Sequence, residues 1–309
     1  MTRILGLVAI NVILIILLGL FTPYFLTKSN LVVMADNIAL EMLILGGYTL
    51  LMIGGYFDLS VDGIIALTGV IAGLLMNSGI PWYLAIVTAL SVSGIIGLIN
   101  GVVVAKIGIN GFIATLTTWW LCQGFSFGLT KATAPYGFPE IFLVFGQSRV
   151  LGFKSFVLYA IITTVLLHLI LKYTVQGRHI YASGGDKITS QRMGIRTTKI
   201  GINLYILMGV LSGFVGLILA SRLDAASPIA VDGTALRVIA ALVIGGCSLN
   251  GGRGTIIGGV LGLIMMHILS NSIIQIGFNP YWQKVLLGSV LLIAALSEKV
   301  NFTRRSDNV

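Results

Sequence analysis

The chain has 309 residues, of which 57% are hydrophobic and only 9% are charged. Soluble domains carry about 25% charged residues, so this composition excludes an ordinary water-soluble protein. The formal net charge of +9 does not indicate nucleic-acid binding. The basic residues lie between apolar segments and at the C-terminus, where the cytoplasmic excess of Lys and Arg in membrane proteins accounts for them.

About ten apolar segments approach the roughly 20 residues that a helix needs to cross a bilayer. In chain order they are 4–21, 38–57, 64–76 with its flanks, 82–105, 112–129, 156–173, 200–221, about 235–251, 256–276 and 281–297. The first follows one Arg and ends without a small-residue cleavage site, so we interpret it as a retained span. The sequence predicts one all-α polytopic membrane domain over residues 1–309.

The distribution of Lys and Arg predicts the orientation. The loop 174–199 contains one acid, Asp186, and the basic residues Arg178, Lys187, Arg192, Arg196 and Lys199. Such an excess places the loop in the cytoplasm. With ten spans, both termini are then cytoplasmic, and the connections 22–37 and 130–155 lie outside.

Two glycine-rich segments interrupt the apolar pattern, at 54–63 and 245–254. Backbone that leaves a helix at membrane depth must be buried in protein or line an aqueous cavity. Interrupted helices in corresponding halves of a transporter point to its pathway. The alternative is that both are loops at the membrane surface. The triplet Val-Asp-Gly recurs at 61–63 and 231–233, which suggests two inverted five-helix halves.

Few residues suggest catalysis, metal binding or ion coupling. Cys122 and Cys247 lie far apart in apolar runs and are expected to be buried thiols. His168 and His267 are solitary on apolar helices with no neighbouring acid in the sequence, which favours structural roles. Glu41 is the only carboxylate well inside a clear span, whereas ion-coupled secondary transporters usually keep several such groups there. No G-x-x-x-x-G-K-[ST] phosphate loop occurs, so the chain is not expected to bind ATP.

Five blocks in order resemble the permease subunits of bacterial ABC importers for ribose, galactose, xylose and arabinose, within the branched-chain-amino-acid-like permease superfamily. The resemblance covers about residues 38–299. The blocks are Phe57–Val61, Gly97–Gly101 with Phe112–Leu116, Gly177–Ala182 with Gly184-Gly185 and Met193–Ile195, Ile244–Gly254, and Pro280–Gln283. The chain departs from the family pattern at Asn110-Gly111, where Pro-Pro is usual, and at Tyr56 and Asp62, where Gly is common.

The resemblance implies partners and a coupling loop. Two cytoplasmic ATPase subunits would bind ATP and Mg, so the chain itself carries no cofactor. A second permease subunit and a periplasmic or lipid-anchored substrate-binding protein would complete an importer in the bacterial inner membrane. The ATPase-coupling residues would be Gly184, Gly185, Asp186, Lys187, Arg192, Met193, Gly194 and Ile195. The run after Asp186 is expected to form a short helix, because a carboxylate is favoured at a helix N-terminus.

A sugar offers hydroxyl groups and no charge, so its permease needs a polar, uncharged path. The candidate residues for that path are Asp58, Ser60, Asn100, Thr118, Trp119, Gln123, Gly245, Gly246 and Asn250. The stretch around Thr118 and Trp119 is preferred because Gln123 lies about one helical turn further on. The alternative for each residue is a bond between helices, worth about 0.6 kcal/mol on average in membranes. An ion-coupled secondary transporter remains the alternative function.

Overall fold

The computed structural model describes residues 2–150, 152–229 and 231–306. These ranges contain thirteen α-helices and one short hairpin of Arg149–Val150 with Phe153–Lys154. The helices are α1 Thr2–Phe21, α2 Lys28–Ile53, α3 Val61–Asn77, α4 Trp82–Gly101, α5 Gly111–Thr130, α6 Glu140–Gln147, α7 Ser155–Tyr173, α8 Val175–Gly185, α9 Lys187–Arg192, α10 Thr197–Leu223, α11 Thr234–Ile244, α12 Ile256–Gln275 and α13 Trp282–Ser306. A π-helical segment, Val102–Ile107, continues α4.

Each of the ten predicted spans contains a helix, so the all-α polytopic fold class is confirmed. Six helices of the described chain are long and apolar enough to cross a membrane: α1, α2, α4 with its π-helical extension, α7, α10 and α12. Helices α3 and α11 and the stretch Trp282–Ile293 of α13 are shorter apolar helices. These include the third and eighth segments, which the sequence shows as interrupted.

Several predicted boundaries are wrong. Helix α2 begins at Lys28 rather than near residue 38, so most of the predicted outer connection 22–37 is helical. The Thr27 side chain accepts a hydrogen bond from the Asn30 backbone N–H, which fixes this start. The connection 130–155 contains α6 and the hairpin, and α13 continues past residue 297 to Ser306. Residues 307–309 of the predicted cytoplasmic tail lie outside the described residues.

Helices α2 and α10 form the centre of the bundle. Helix α2 packs against α7, α10 and α12, and α10 packs against α3 and α4. The crossing of α4 and α10 is close because glycines face each other: a Cβ on Gly209 would lie 3.1 Å from the Gly97 Cα. Small residues at such crossings let membrane helices approach along their backbones.

The neighbours of the helices repeat between the two halves of the chain. Helix α3 packs on α4 and α5, and α11 packs on α12 and α13. The first turns of α3 and α11 meet, since the Asp62 Oδ1 accepts a hydrogen bond from the Ala235 N–H at 3.0 Å. Asp62, a departure from the resembling family, therefore joins the two halves near both Val-Asp-Gly triplets. The repeated contacts support two related halves, and the inversion of one half relative to the other stays a prediction.

Candidate functional site

Helices α2 and α11 end in the same way, at the two interrupted segments. Gly55 and Gly246 have φ of +79° and +99°. The N–H of the next residue bonds to a carbonyl five residues earlier, at 3.0 Å for Tyr56 and 2.8 Å for Cys247. This is the Schellman pattern, which stops a helix and favours glycine in the left-handed conformation. Both interruptions are therefore defined helix ends.

The two interruptions and the loop 174–199 meet in what we call the glycine junction, formed by Gly54-Gly55, Gly184-Gly185 and Gly251-Gly252. A Cβ on Gly184 would collide with the Ile53 carbonyl oxygen and lie 2.8 Å from the Gly252 nitrogen. The Gly252 N–H donates to the same Ile53 carbonyl at 2.8 Å. The end of α8 is thus seated by its backbone between the end of α2 and the segment after α11.

Asp186 begins the short helix α9, as predicted. Its Oδ1 accepts hydrogen bonds from the N–H groups of Ile188 and Thr189, each at 3.0 Å, and its Oδ2 accepts one from the Thr189 hydroxyl at 2.6 Å. The bonds from Thr189 hold the pKa of Asp186 below its ordinary value. The carboxylate therefore satisfies amide groups at the N-terminus that the helix itself leaves unpaired.

The remaining coupling candidates surround α9. Met193, 77% exposed, follows the helix, with Arg192 and Gly194 also exposed and Ile195 half-buried. Gly194 has φ of +83°, a conformation that other residues adopt only with strain.

Lys187 and one missed residue complete the surface of α9. The Lys187 Nζ lies 5.9 Å from the centre of the Tyr56 ring, which links α9 to the first interruption. The sequence prediction missed Ile188, which is 65% exposed and adds a second apolar side chain. The sequence signal that could have identified Ile188 was an apolar residue in an otherwise polar loop.

Four of the path candidates form one hydrogen-bonded set, which we call the polar chain: Asp58, Ser60, Asn100 and Thr118. The Ser60 hydroxyl donates to the Asp58 Oδ1 at 2.6 Å and accepts from the Asn100 amide at 2.9 Å. The Thr118 hydroxyl donates to the Asn100 Oδ1 at 2.6 Å. The polar chain thus links the first interruption to α4 and α5.

The first interruption is also held by two phenols. The Tyr48 hydroxyl donates to the Asp58 carbonyl, and the Tyr205 hydroxyl donates to the Phe57 carbonyl, each at 2.7 Å. Extended backbone inside the bundle would otherwise leave its carbonyls without partners, which is costly. The segment between α2 and α3 is therefore buried in protein.

The other path candidates lie apart from the polar chain. Trp119 and Gln123 are half-buried on α5, where the Trp119 ring packs 5.4 Å from that of Trp120. Gly245, Gly246 and Asn250 belong to the second interruption. A Cβ on Gly55 would lie 4.0 Å from the Asn250 carbonyl oxygen, so Asn250 adjoins the glycine junction. The candidates thus form separate groups, and their place in a path remains a prediction.

A buried ionic cluster was missed by sequence reasoning. Glu41 of α2 accepts a bond from the Arg237 guanidinium of α11 and lies 3.0 Å from the His267 Nε2 of α12. His267 therefore has an acidic neighbour, contrary to expectation. The three residues are 196 and 226 positions apart in sequence, so no local pattern shows them together. The sequence signal that could have identified the cluster was the presence of an ionisable residue inside each of three spans.

The cluster lies in a wall of a cavity of about 300 Å³, which we call the charged cavity. Helices α2, α10, α11, α12 and α13 contribute to its walls. Polar lining residues besides the cluster include Asn37, Thr234, Asn271 and Gln283. Among the described residues, no group of three or more His, Cys, Asp or Glu is arranged to hold a metal ion.

An all-helical bundle with interrupted helices, a polar interior and an exposed basic loop defines a multi-pass membrane permease. The chain belongs to the family described as the branched-chain amino acid transport system / permease component, which matches residues 34–295.

Several named relatives are similar over most of their length. The ribose import permease protein RbsC of Escherichia coli K12 is 34% identical over 92% of this chain and 90% of its own. The D-allose transport system permease protein AlsC of the same strain is 31% identical, over 93% and 89%. The L-arabinose ABC transporter permease protein AraH of Azospirillum brasilense is 30% identical, over 97% and 88%. No solved structure matches the chain significantly.

Proposed function

We propose that this chain is the membrane subunit of an ATP-driven importer that moves a small sugar across the bacterial inner membrane. The relatives named for ribose, D-allose and L-arabinose support this substrate class. Both termini would be cytoplasmic, as would the loop that contains α8 and α9. A second permease subunit and a substrate-binding protein on the outer side would complete the importer.

The coupling loop carries this proposal. Helix α9 is largely exposed and is capped by Asp186. The glycine junction, just before it in the chain, contacts the end of α2 and the segment after α11. A partner seated on α9 would therefore push on both interrupted segments through backbone contacts. The exposed Ile188 and Met193 side chains would fill a groove on an ATPase, and Lys187, Arg192 and Arg196 would pair with its acidic residues.

The partner ATPase would hold ATP and Mg, and this chain would have no catalytic role. Its residues would supply docking and a path. The polar chain, which joins the first interruption to α4 and α5, would line a route from the coupling loop into the bundle. Trp119 and Gln123 on α5 would line the wall of that route.

Uptake by reconstituted vesicles tests the energy source. The importer would be assembled from this chain, its ATPase and its binding protein, with D-ribose as the first sugar tried. Uptake should require ATP and persist when proton and sodium gradients are collapsed. Gradient-driven uptake by this chain alone would instead establish the ion-coupled alternative, for which the buried Glu41 and His267 would be suitable groups.

A substitution at Met193 tests the docking surface. Met193→Asp places a charge on the exposed apolar contact, so stimulation of the ATPase and uptake should both fall while insertion into the membrane is normal. Met193→Leu is the matched control and should retain both activities. Full coupling in Met193→Asp would remove α9 from the interface. Met193 is a better probe than Gly194, where any side chain would also strain the backbone.

A further inference from the structure

We propose that the charged cavity is a transient binding site for a neutral, polyhydroxylated solute on its way through the permease. This inference rests on the proposed function, because it assigns a place in the chain to the sugar. It differs from the predicted path near Trp119 and Gln123, which lies on α5. Helix α5 contributes no residue to the cavity wall.

The depth of the cavity suits a transport site. Glu41 lies twelve residues before Ile53, the end of α2 at the glycine junction, which is about 18 Å at the rise of an α-helix. His267 lies eleven residues after Ile256, the start of α12, or about 17 Å. Both are about half the thickness of a bilayer's hydrocarbon core, roughly 30 Å. Solute sites of many transporters lie near this midplane.

The ionic cluster favours a neutral solute. Glu41 uses one oxygen for Arg237 and the other for His267, so its charge is already balanced within the wall. A zwitterionic or anionic solute would have to break this cluster to use either charge. A hydroxyl group can instead accept from the guanidinium, whose side chain is 27% exposed. An Arg side chain has five N–H donors, and Glu41 engages Arg237 through only one nitrogen.

The other walls supply what a sugar ring needs. Asn37 and Thr234 line the cavity with an amide and a hydroxyl, and neither side chain is hydrogen-bonded within the described part of the chain. Leu40, Val215 and Leu219 line another part and give an apolar surface for the C–H face of a ring. The volume of about 300 Å³ is at the lower end of the 300–1,000 Å³ typical of ligand sites, which suits a single small solute.

Cysteine protection tests the site directly. Cys122 and Cys247 are both buried, so the native chain gives little background with a thiol reagent. Asn37→Cys places a thiol at an exposed position on the cavity wall, and Ser78→Cys places one at an exposed position at the end of α3, outside the cavity. The assembled importer would be labelled with N-ethylmaleimide in the presence of binding protein, ATP and vanadate. D-ribose, L-leucine or no solute would be added in parallel.

D-ribose should slow labelling of Asn37→Cys relative to solute-free binding protein, while Ser78→Cys labels equally in both conditions. A slowing of about fivefold corresponds to about 80% occupancy, well within the effect of a ligand in excess over its Kd. Protection by L-leucine alone would replace the sugar with an amino acid. Equal labelling under all conditions, in an importer that takes up D-ribose, would overturn the inference and leave the proposed function intact.

A bulky side chain gives a second test that does not disturb the ionic cluster. Val231 lines the cavity from the connection between α10 and α11, whereas Ile229, two residues earlier, is 66% exposed. Val231→Trp should reduce uptake by about tenfold or more, because the ring fills the space that the solute needs. Ile229→Trp, with the same ring outside the cavity, should transport normally. Unchanged uptake in Val231→Trp would also contradict the site.

Uptake by the unsubstituted importer separates the two proposals. If the importer transports no pentose or hexose in the presence of ATP, the proposed function itself is contradicted. If it transports D-ribose and both variants behave like their controls, only the charged cavity loses its assignment.

Discussion

The glycine junction and the charged cavity use opposite kinds of contact between distant parts of the chain. At the junction, backbone touches backbone, and Gly184 has no room for even a Cβ against Ile53 and Gly252. In the cavity, long side chains from three helices meet around Glu41 and leave about 300 Å³ open. A close contact between backbones transmits a displacement of one segment to the other. A contact made by side chains can instead rearrange around a bound solute. We therefore expect the glycine junction to transmit movement between helices and the charged cavity to adjust around a bound solute.

The largest expected effect comes from adding one methyl group at the junction. Gly184→Ala would force the end of α8 away from Ile53, at a cost of about 3 kcal/mol or more for overpacking against backbone. We expect loss of ATPase coupling and a lower unfolding temperature in detergent. Gly185→Ala is the control, because nothing lies within 4 Å of its Cβ position. Similar behaviour of the two variants would show that the junction is not tight.

The next effect tests the ionic cluster of the cavity. Arg237→Met removes one of the two partners of the buried Glu41, and such breaks cost about 3–5 kcal/mol when both groups are fully buried. Since Arg237 is 27% exposed, we expect about 2 kcal/mol of lost stability. The double variant Glu41→Gln with Arg237→Met should recover much of it.

Lys284→Met is the matched control for Arg237→Met. It breaks the exposed pair that Lys284 forms with Asp232 at 2.7 Å, and such solvent-exposed pairs add little to stability. Denaturation in detergent, followed by size-exclusion chromatography, compares the variants. Equal losses in Arg237→Met and Lys284→Met would mean that the cluster is effectively solvated.

A smaller effect is expected in the polar chain. Thr118→Val keeps the shape of the side chain and removes its bond to the Asn100 Oδ1, at about 0.6 kcal/mol, the average for membrane interhelical bonds. Thr117→Val is the control, since the Thr117 hydroxyl bonds only to Ile113 of its own helix. Thermal unfolding of the two variants side by side would resolve the difference. A larger loss in Thr117→Val would contradict the interhelical role of the polar chain.

The smallest effect is local, at the start of α9. Asp186→Ala should raise the hydrogen-exchange rates of the Ile188 and Thr189 amides without changing the overall unfolding temperature. Protonation of Asp186 at low pH should raise the same two exchange rates. Because the pKa of Asp186 is lowered in the fold, its stabilisation is complete above the ordinary Asp value and is lost as pH falls through the lowered one. If the Ile188 and Thr189 amides exchange equally slowly in Asp186→Ala, Asp186 does not cap α9.

Local patterns predicted the helices well. Hydropathy over about 20 residues predicted ten segments, each of which contains a helix. Asp186 followed by a polar run predicted α9. The predicted start of α2 was wrong because the segment from Lys28 contains polar residues, including Asn30 and Asp36, that hydropathy assigns to a loop. Its cap at Thr27 was a better signal than hydropathy.

Contacts between distant residues were the part that sequence could not supply. The glycine pairs at 54, 184 and 251 are each ordinary loop signals, and only the fold brings them within contact of one another. The sequence analysis did not connect Glu41, Arg237 and His267, because each lies on a different helix. Asn100 and Thr118 were predicted as polar candidates, but their bond depends on how α4 meets α5.

The backbone character of the glycine junction has a consequence for genetics. A suppressor mutation usually restores a damaged contact by reshaping the side chain opposite, but here the atoms opposite Gly184 are the Ile53 carbonyl and the Gly252 nitrogen. A change of side chain at either position leaves those backbone atoms in place. Revertants of a Gly184 substitution should therefore arise at the original codon, or in a partner protein that tolerates a displaced α9, and not at Ile53 or Gly252. A random screen for recovered growth on the transported sugar would show this pattern directly.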